Sequence, residues 1–295
     1  MRRVCLARAW LLAALLAAGA AAEPGLRGIE VTQSMEVALD VIGPVIRAST
    51  LNIAHGRDDS LNQLLVSASR TRANLEAIGK FLMDRRIDIA ALQEVDAPSW
   101  WSGGFDQASV VAAAGAFSYR VQASHAHLLI ASYGTAILSR LPIREAAAVD
   151  FAPSPPTAGK GFTIAQINWQ VSESTQVTLD VVSIHMDLSR ASVRESQLAE
   201  LEAVLETRHN PLLIMGDFNS QDLAQRLVDA AAANDRRLHT AEDDGGVHTT
   251  YKGKRLDWII ASGELEFVDY HTDATMLSDN RAVIASIALR DNPEE

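Results

Sequence analysis

Apolar and polar positions follow two different periods along this chain, and the periods predict strands and helices in turn. Short runs that are uniformly apolar or alternate every second residue predict strands. These runs lie at residues 46–53, 87–95, 119–131, 135–138, 162–171, 177–185, 211–216, 256–261 and 282–289. Apolar residues at helical spacing predict helices over 61–86, 108–117, 191–208 and 223–234. The combination favours an α/β fold, a four-layer α/β/β/α sandwich with two mixed sheets between helices.

The same pattern predicts one domain over residues 47–290. Residues 23–46 are interpreted as a linker or lead-in and 291–295 as a tail, while the proline- and glycine-containing stretch 153–161 is typical of a surface loop. The chain has 295 residues, of which 48% are hydrophobic. That is enough apolar material for one large core, and no repeat of 20–50 residues suggests a different architecture.

The first 22 residues predict a secretory signal peptide. Arg2, Arg3 and Arg8 precede an apolar run over 9–22 that ends in three alanines. The run is shorter than the roughly 20 apolar residues that span a bilayer. The only cysteine, Cys5, lies in this segment, so the mature protein is expected to have no disulfide. The expected location is periplasmic or secreted.

Charge argues weakly against a long polyanion as the partner. The formal net charge is −11, and no lysine or arginine cluster forms the basic patch on which non-specific nucleic-acid binders depend. Composition therefore favours a small or lipid-linked phosphoester over a nucleic acid, and the chain is expected to be a monomer.

Candidate chemistry lies at the ends of the predicted strands, where polar residues recur. Any one of them alone is better interpreted as a turn cap, but several converging at one sheet edge favour a site. They are Asn52, Glu94, His185, Asp217, Asn219, Asp257 and Asp279.

The motifs around these residues resemble the endonuclease/exonuclease/phosphatase superfamily, whose members include DNase I-like nucleases and neutral sphingomyelinases. The motifs are LNIAHGR (51–57), ALQEV (91–95), YGTAILSR (133–140), SIHMD (183–187), MGDFN (215–219), RLDWII (255–260) and SDNRAV (278–283). They occur in the order of the family across residues 48–289. The resemblance implies a DNase I-like fold and hydrolysis of a phosphoester with Mg²⁺ or Mn²⁺ as cofactor.

The resemblance also implies a role for each matching residue. Glu94 and Asp279 match the family's metal-binding acidic residues, and Asn52 resembles the residue that orients the metal, the glutamate or the phosphate. In the catalytic set, Asp217 and Asn219 match the positions that align water and bond the phosphoryl group.

Two further matches complete the implied site. His185 matches a histidine that contacts phosphate, and Asp257 resembles the aspartate that orients the family's catalytic histidine.

One position departs from the family, because Asn280 stands where the motif has its catalytic histidine. An asparagine side chain cannot carry a proton near neutral pH, so a loss of roughly 10²–10⁴-fold in rate is expected. Three interpretations remain open. Another group, such as His185, His55 or metal-bound hydroxide, handles the proton; the chain is a pseudoenzyme that binds a phosphorylated or lipid ligand; or His271 enters the site. The first is favoured, because the other catalytic positions match.

An adjacent tryptophan pair suggests a peripheral membrane contact. Trp100 and Trp101 follow the strand of Glu94, and such pairs either dip into lipid headgroups or pack beneath a loop. Isolated basic residues, such as Arg57 and Lys160, are interpreted as candidate phosphate contacts or as ordinary solvated surface.

Overall fold

Two seven-stranded sheets form the middle layers of the fold. The computed structural model describes residues 25–33, 43–58, 60, 65–234, 236–242 and 247–290. The predicted signal peptide and the tail over 291–295 therefore lie outside the described residues, as does Cys5. No helix within the described ranges is long and apolar enough to cross a bilayer.

The first sheet has the strand order β1-β7-β8-β9-β10-β12-β11. Its strands are β1 Arg27–Ile29, β7 Ile143–Asp150, β8 Gly161–Gln170, β9 Gln176–His185, β10 Leu212–Asp217, β11 Leu238–His239 and β12 Asp257–Ser262. Only β9 and β10 pair in parallel, and the other neighbours in this sheet are antiparallel. The sheet is therefore mixed.

The second sheet has the strand order β13-β14-β3-β4-β6-β5-β2. Its strands are β2 Thr32–Gln33, β3 Val45–Asn52, β4 Ile89–Asp96, β5 Tyr119–His127, β6 Ser132–Ser139, β13 Leu265–Met276 and β14 Arg281–Leu289. Here β3 and β4 are the parallel pair. The two parallel pairs place several carboxyl-terminal strand ends at one edge of the sandwich.

The core has three apolar layers, which confirm the predicted four-layer sandwich. Between the sheets, Trp169, Ile89 and Met215 belong to one buried cluster. Helices α1 (Ala68–Asp84) and α2 (Gln107–Ala114) cover the outer face of the second sheet. Helices α3 (Ala191–Leu205) and α4 (Leu223–Ala233) cover the first sheet.

Helix α1 begins later than the sequence pattern predicts, because a capping residue fixes its start. The Ser67 hydroxyl accepts a hydrogen bond from the Arg70 backbone N–H at 3.3 Å, which satisfies one of the unpaired donors of the first turn. In the same way, Asp106 accepts from the Ser109 N–H at 2.7 Å and starts α2. The apolar period alone does not contain this information.

Five strands were not predicted from the sequence. Strand β7 is alanine-rich and β13 is mostly exposed, so neither shows a strong alternation. The very short strands β1 and β2 lie in the segment interpreted as a lead-in, and they pair with β7 and β5. Strand β11 has only two residues. In addition, the strand predicted over 119–131 ends at His127, where a hairpin turn begins.

Candidate active site

Several strand ends meet at one edge of the sandwich and line a cleft of about 200 Å³. Asn52, His185 and Asp217 are the last residues of β3, β9 and β10, while Asp257 begins the antiparallel β12. Asp217 is in register with both His185 and Asp257. The cleft is lined by Asn52, Arg57, Glu94, Lys160, His185, Leu188, Asp217, Asn219, Tyr251, Leu256, Asp279 and Asn280. All eight predicted site residues thus lie in or directly beside one cavity.

Glu94 enters the cleft through a distortion of its strand. The register of β4 against β6 shifts between Gln93 and Val95, and Glu94 has a φ of 53°, in the left-handed region that non-glycine residues rarely occupy. Such bulges re-aim a side chain, and backbone strain of this kind concentrates at functional sites. Burial alone would raise the pKa of Glu94, but the nearby His55 and Lys160 hold it at about 2, so the carboxylate is charged.

A second layer of side chains supports Glu94. His55 Nε2 lies 3.3 Å from Glu94 Oε2, and His55 Nδ1 lies 2.8 Å from Asp96 Oδ1. The Trp101 indole N–H donates to the other oxygen of Asp96 at 2.6 Å. The His55 ring packs edge-on against Trp101 and Tyr133, with centroids 4.9 and 4.7 Å away. Trp101 is therefore engaged within the fold, whereas Trp100 is 78% exposed.

Asp217 and its neighbours form the centre of the cleft. The Asn52 amide donates to Asp217 Oδ2 at 3.1 Å, and the Asn219 backbone N–H donates to Oδ1 at 2.9 Å. Asn219 has a φ of 51° and anchors its side-chain amide on the Met186 carbonyl at 3.0 Å. Burial raises the pKa of Asp217 to about 6 despite these donors. Its carboxylate is thus more basic than an exposed one.

Lys160 brings a positive charge into the same space. Its ammonium lies 2.9 Å from His185 Nε2 and 3.1 Å from Nδ1, and its charge acts on Glu94 and Asp217. Burial lowers the pKa of Lys160, and those carboxylates oppose the shift. Burial and then Lys160 hold the pKa of His185 well below its ordinary value, so the imidazole is neutral. His185 Nε2 lies 3.9 Å from both Glu94 Oε1 and Asp217 Oδ2.

From the sequence, Lys160 is a candidate phosphate contact or an ordinary solvated residue. The missed signal is its position just before β8, because β8 pairs with β9 and Gly161 is opposite His185. A basic side chain at that point reaches the strand end that carries His185. The pattern of apolar residues does not specify which strands pair, so it gives no sign that β8 lies beside β9.

Asn280 occupies the back of the cleft. Its side-chain amide donates to Asp257 Oδ2 at 2.8 Å, and burial is the main reason that the pKa of Asp257 lies well above its ordinary value. Ser278 joins this region to β3, since its hydroxyl donates to the Asn52 carbonyl at 2.6 Å. By contrast, the His271 side chain on β13 is 42% exposed and pairs with Asp269, and it does not line the cleft.

Asp279 is already paired with a cation of the protein. Arg57 Nη2 donates to Asp279 Oδ2 at 2.6 Å, and both residues line the cleft. The predicted metal ligands are therefore brought to one cavity, but they are not equivalent. Glu94 has a charged carboxylate that is 21% exposed, whereas Asp279 is partly neutralised.

The donor set fits a hard divalent cation held by few protein ligands. Mg²⁺ is usually bound through one or two carboxylates, with water or phosphate oxygen completing its shell. Glu94 and Asp217 supply carboxylate oxygens to the cleft, whereas the Asn52 side-chain oxygen accepts the Ala54 N–H at 3.0 Å. Among the described residues, no group of three or more His, Cys, Asp or Glu side chains is placed to hold a metal ion by itself. An open site, rather than a structural one, is consistent with these oxygens.

Comparison with known proteins agrees with this geometry. Residues 49–279 match the Endonuclease/Exonuclease/phosphatase family. No curated protein matches the sequence. An endonuclease/exonuclease/phosphatase from Beutenbergia cavernae DSM 12333 is 18% identical with a TM-score of 0.65, over 83% of this chain and 72% of that one. The human Nocturnin catalytic domain with bound sulfate anion is 14% identical with a TM-score of 0.61, over 89% and 98%. At such identities the solved structures show a shared fold.

Proposed function

The chain belongs to the Endonuclease/Exonuclease/phosphatase family, and we propose that it hydrolyses a phosphoester with the help of Mg²⁺ or Mn²⁺. Members of this family are generally phosphoester hydrolases that use divalent metals. The observation that carries the proposal for this chain is the meeting of a charged Glu94, a basic Asp217 and the cations Lys160 and Arg57 in one cleft. The cleft would thus offer an interacting group to the anionic substrate, to the attacking water and to the leaving group.

A bound divalent cation would supply charge neutralisation for the phosphoryl oxygens and the leaving alkoxide. Glu94, with Asn52 beside it, would hold that cation. Asp217, whose pKa is about 6, would accept a proton from the attacking water near neutral pH. The second N–H of the Asn219 amide would donate to the phosphoryl group. A carboxylate at this position would instead repel the phosphoryl oxygens.

His185 and Lys160 would hold the substrate anion. A neutral imidazole can donate one hydrogen bond to a phosphate oxygen, and the adjacent Lys160 side chain adds hydrogen-bond donors in a partly buried site. Arg57, which pairs with Asp279, would reduce the repulsion between that carboxylate and the anionic substrate. The substrate best suited to this arrangement carries one compact phosphoester group.

The expected location outside the cytoplasm is part of the proposal. It depends on the charged and apolar pattern of residues 1–22 alone. A mass measurement of the amino terminus after expression in a bacterial host would test it. A chain that retains residues 1–22 and stays in the cytoplasm would contradict export.

A second candidate function is binding of a phosphorylated ligand without turnover. The observation that favours it is the Asn280 amide on Asp257, because no proton-carrying group stands at that point. The enzyme remains the better supported candidate, since Glu94, Asp217, Asn219 and His185 still meet in the cleft.

The deciding experiment measures hydrolysis by the full chain of DNA, RNA, sphingomyelin, inositol phosphates and simple phosphomonoesters, with Mg²⁺ or Mn²⁺. Glu94→Gln is measured alongside, and Glu76→Gln on the exposed face of α1 is the matched control. Metal-dependent turnover that Glu94→Gln abolishes and Glu76→Gln preserves is the expected result. Absence of turnover in a folded sample that still binds phosphoesters would favour the second candidate.

A further inference from the structure

Four large apolar side chains project from one corner of the fold. Trp100 is 78% exposed, and the turn between β5 and β6 exposes Leu128, Leu129 and Ile130 by 50%, 103% and 40%. We call these four residues the apolar tip. Exposed patches of a few hundred Å² commonly mark interaction sites in soluble proteins. Exposing such side chains to water costs free energy, so their clustering at one corner needs an explanation.

The tip is a built feature, because hydrogen bonds join its two loops. The Trp101 backbone N–H donates to the Ile130 carbonyl at 3.4 Å. The Ser99 hydroxyl donates to the Ser132 carbonyl at 3.1 Å and is within 2.9 Å of the Ser132 N–H. The turn itself closes through the Leu128 N–H and the Ala131 carbonyl at 2.7 Å. The two loops therefore hold their apolar side chains in one place.

No charge interrupts the tip. Residues 97–105 and 128–134 contain no Asp, Glu, Lys or Arg. A surface of this kind would not be drawn to a polyanion or to an anionic membrane by Coulomb attraction. It would gain free energy by removing tryptophan and leucine side chains from water, and tryptophan favours the boundary between lipid and water.

The tip is connected directly to the cleft. Trp101, whose backbone is bonded to the tip, packs its ring on His55, and His55 contacts Glu94. Leu188, which is 67% exposed, lines the cleft itself. A surface that bound the apolar tip would therefore lie next to the opening of the cleft, where its outermost polar groups could reach the site proposed for phosphoesters.

We propose that the apolar tip inserts into the surface of a phospholipid bilayer and presents a headgroup phosphoester to the cleft. A second copy of the chain is a poorer occupant. A stable pair needs about 800 Å² from each partner, whereas four protruding side chains offer a few hundred. The identity of the substrate rests on the proposed function, but the binding to lipid does not.

The first test measures flotation of the full chain with phosphatidylcholine vesicles, at about 0.1 M and about 1 M salt. Leu129→Glu should lower the partition coefficient about tenfold, and salt should not weaken binding. Leu129 has no packing to lose, so the fold should survive. The matched control is Val268→Glu, which is 58% exposed on β13, at the opposite edge of the second sheet. Equal binding by wild type and Leu129→Glu would overturn the proposal.

A site-specific readout separates the tip from the apolar segment at residues 9–22. In a Cys5→Ser background, a polarity-sensitive dye is attached to Leu129→Cys or to Val268→Cys. On vesicles, the emission from position 129 should shift to the blue and that from position 268 should not. An unchanged spectrum at 129 would contradict insertion. A dimer that Leu129→Glu converts to monomer, without vesicle binding, would identify a second copy as the occupant instead.

Hydrolysis distinguishes failure of this inference from failure of the proposed function. Leu129→Glu should keep the wild-type rate on a soluble diester, bis(p-nitrophenyl) phosphate, and lose about tenfold on phospholipid in vesicles. If the wild type hydrolyses neither substrate, the proposed function fails while vesicle binding still decides the role of the tip. Equal losses on both substrates would place Leu129 in the catalytic site and overturn the inference.

Discussion

The Asn280 amide donates a 2.8 Å hydrogen bond to the buried carboxyl of Asp257. The Thr250 side chain also acts on that carboxyl, and both contacts oppose the rise in its pKa that burial causes. The arrangement resembles a carboxylate that orients an imidazole, with an amide in the place of the ring. Asparagine can hold the geometry of the back of the cleft, but it cannot transfer a proton. Under the proposed function, the residue at position 280 therefore decides whether a proton-transferring side chain stands at this point of the cleft.

Replacing Asn280 by histidine should raise the rate of hydrolysis. We expect Asn280→His to increase kcat roughly 10²-fold, because a positioned imidazole on Asp257 would supply general acid–base catalysis. Initial rates with Mg²⁺ across pH 5–9 check this. Asn280→Ala, which removes the amide without adding a ring, should give no gain. If Asn280→His is no faster than wild type while still folded, proton transfer at this position is not limiting.

Removal of the Lys160 charge should weaken activity without weakening the fold. Lys160→Met is expected to lower kcat/KM by about 10²-fold, mainly through a higher KM, since a partly buried charge partner of the phosphate is lost. The midpoint of urea unfolding should not fall, because the ammonium is held in a desolvated position. Steady-state kinetics and unfolding measure the two effects.

An exposed lysine gives the matched control for that substitution. Lys80 is 67% exposed on α1 and pairs with Asp84. Lys80→Met should leave kcat/KM unchanged. If Lys160→Met also leaves kcat/KM unchanged, Lys160 has no part in holding the substrate.

Much of the site could be predicted because its residues lie within or next to clearly apolar strand segments. His185 and Asp217 each end an apolar strand, and Glu94 lies two residues before the end of another, so the strands give the approximate positions of these side chains. The fold class follows from the same strands and from the four helices. Each of these signals spans only a few neighbouring residues.

The relations that were missed depend on distant contacts. The pairing of Arg57 with Asp279 joins residues 222 positions apart, and the approach of Lys160 to His185 depends on the pairing of β8 with β9. The exposed strand β13 has little apolar alternation because it is at a sheet edge. The Arg57–Asp279 pair, the approach of Lys160 to His185 and the position of β13 are all determined by tertiary packing rather than by local sequence pattern.

The two adjacent tryptophans should differ in their effect on stability. Trp101→Phe is expected to lower the free energy of unfolding by about 1–3 kcal/mol, because the buried Asp96 loses a donor. Trp100→Phe should change it by less than about 0.5 kcal/mol, since Trp100 is mostly exposed. Urea unfolding at neutral pH checks the pair. Equal losses from both substitutions would contradict the inward role of Trp101.

An ion pair between Arg85, which follows α1, and Asp273 on β13 should make stability depend on acid pH. Arg85 Nε donates to Asp273 Oδ2 at 2.7 Å, and the Thr275 N–H donates to Oδ1 at 2.8 Å. Burial alone would raise the pKa of Asp273, but these donors lower it from 3.8 to about 2. The unfolded chain therefore takes up this proton more readily than the folded one. The stabilisation is present above pH 3.8 and is lost as the pH falls through about 2.

Asp273→Asn is expected to lower the free energy of unfolding at pH 7 by about 1–2 kcal/mol, a value reduced for solvent screening because Arg85 is 41% exposed. The difference from wild type should narrow below pH 4 and vanish near pH 2. Urea unfolding at pH 7, 4 and 2.5 measures it. Asp269→Asn is the control on the same strand, since its pair with His271 is about half exposed and should contribute almost nothing. A difference between Asp273→Asn and wild type that stayed constant down to pH 2.5 would show that the amide disturbs packing rather than charge.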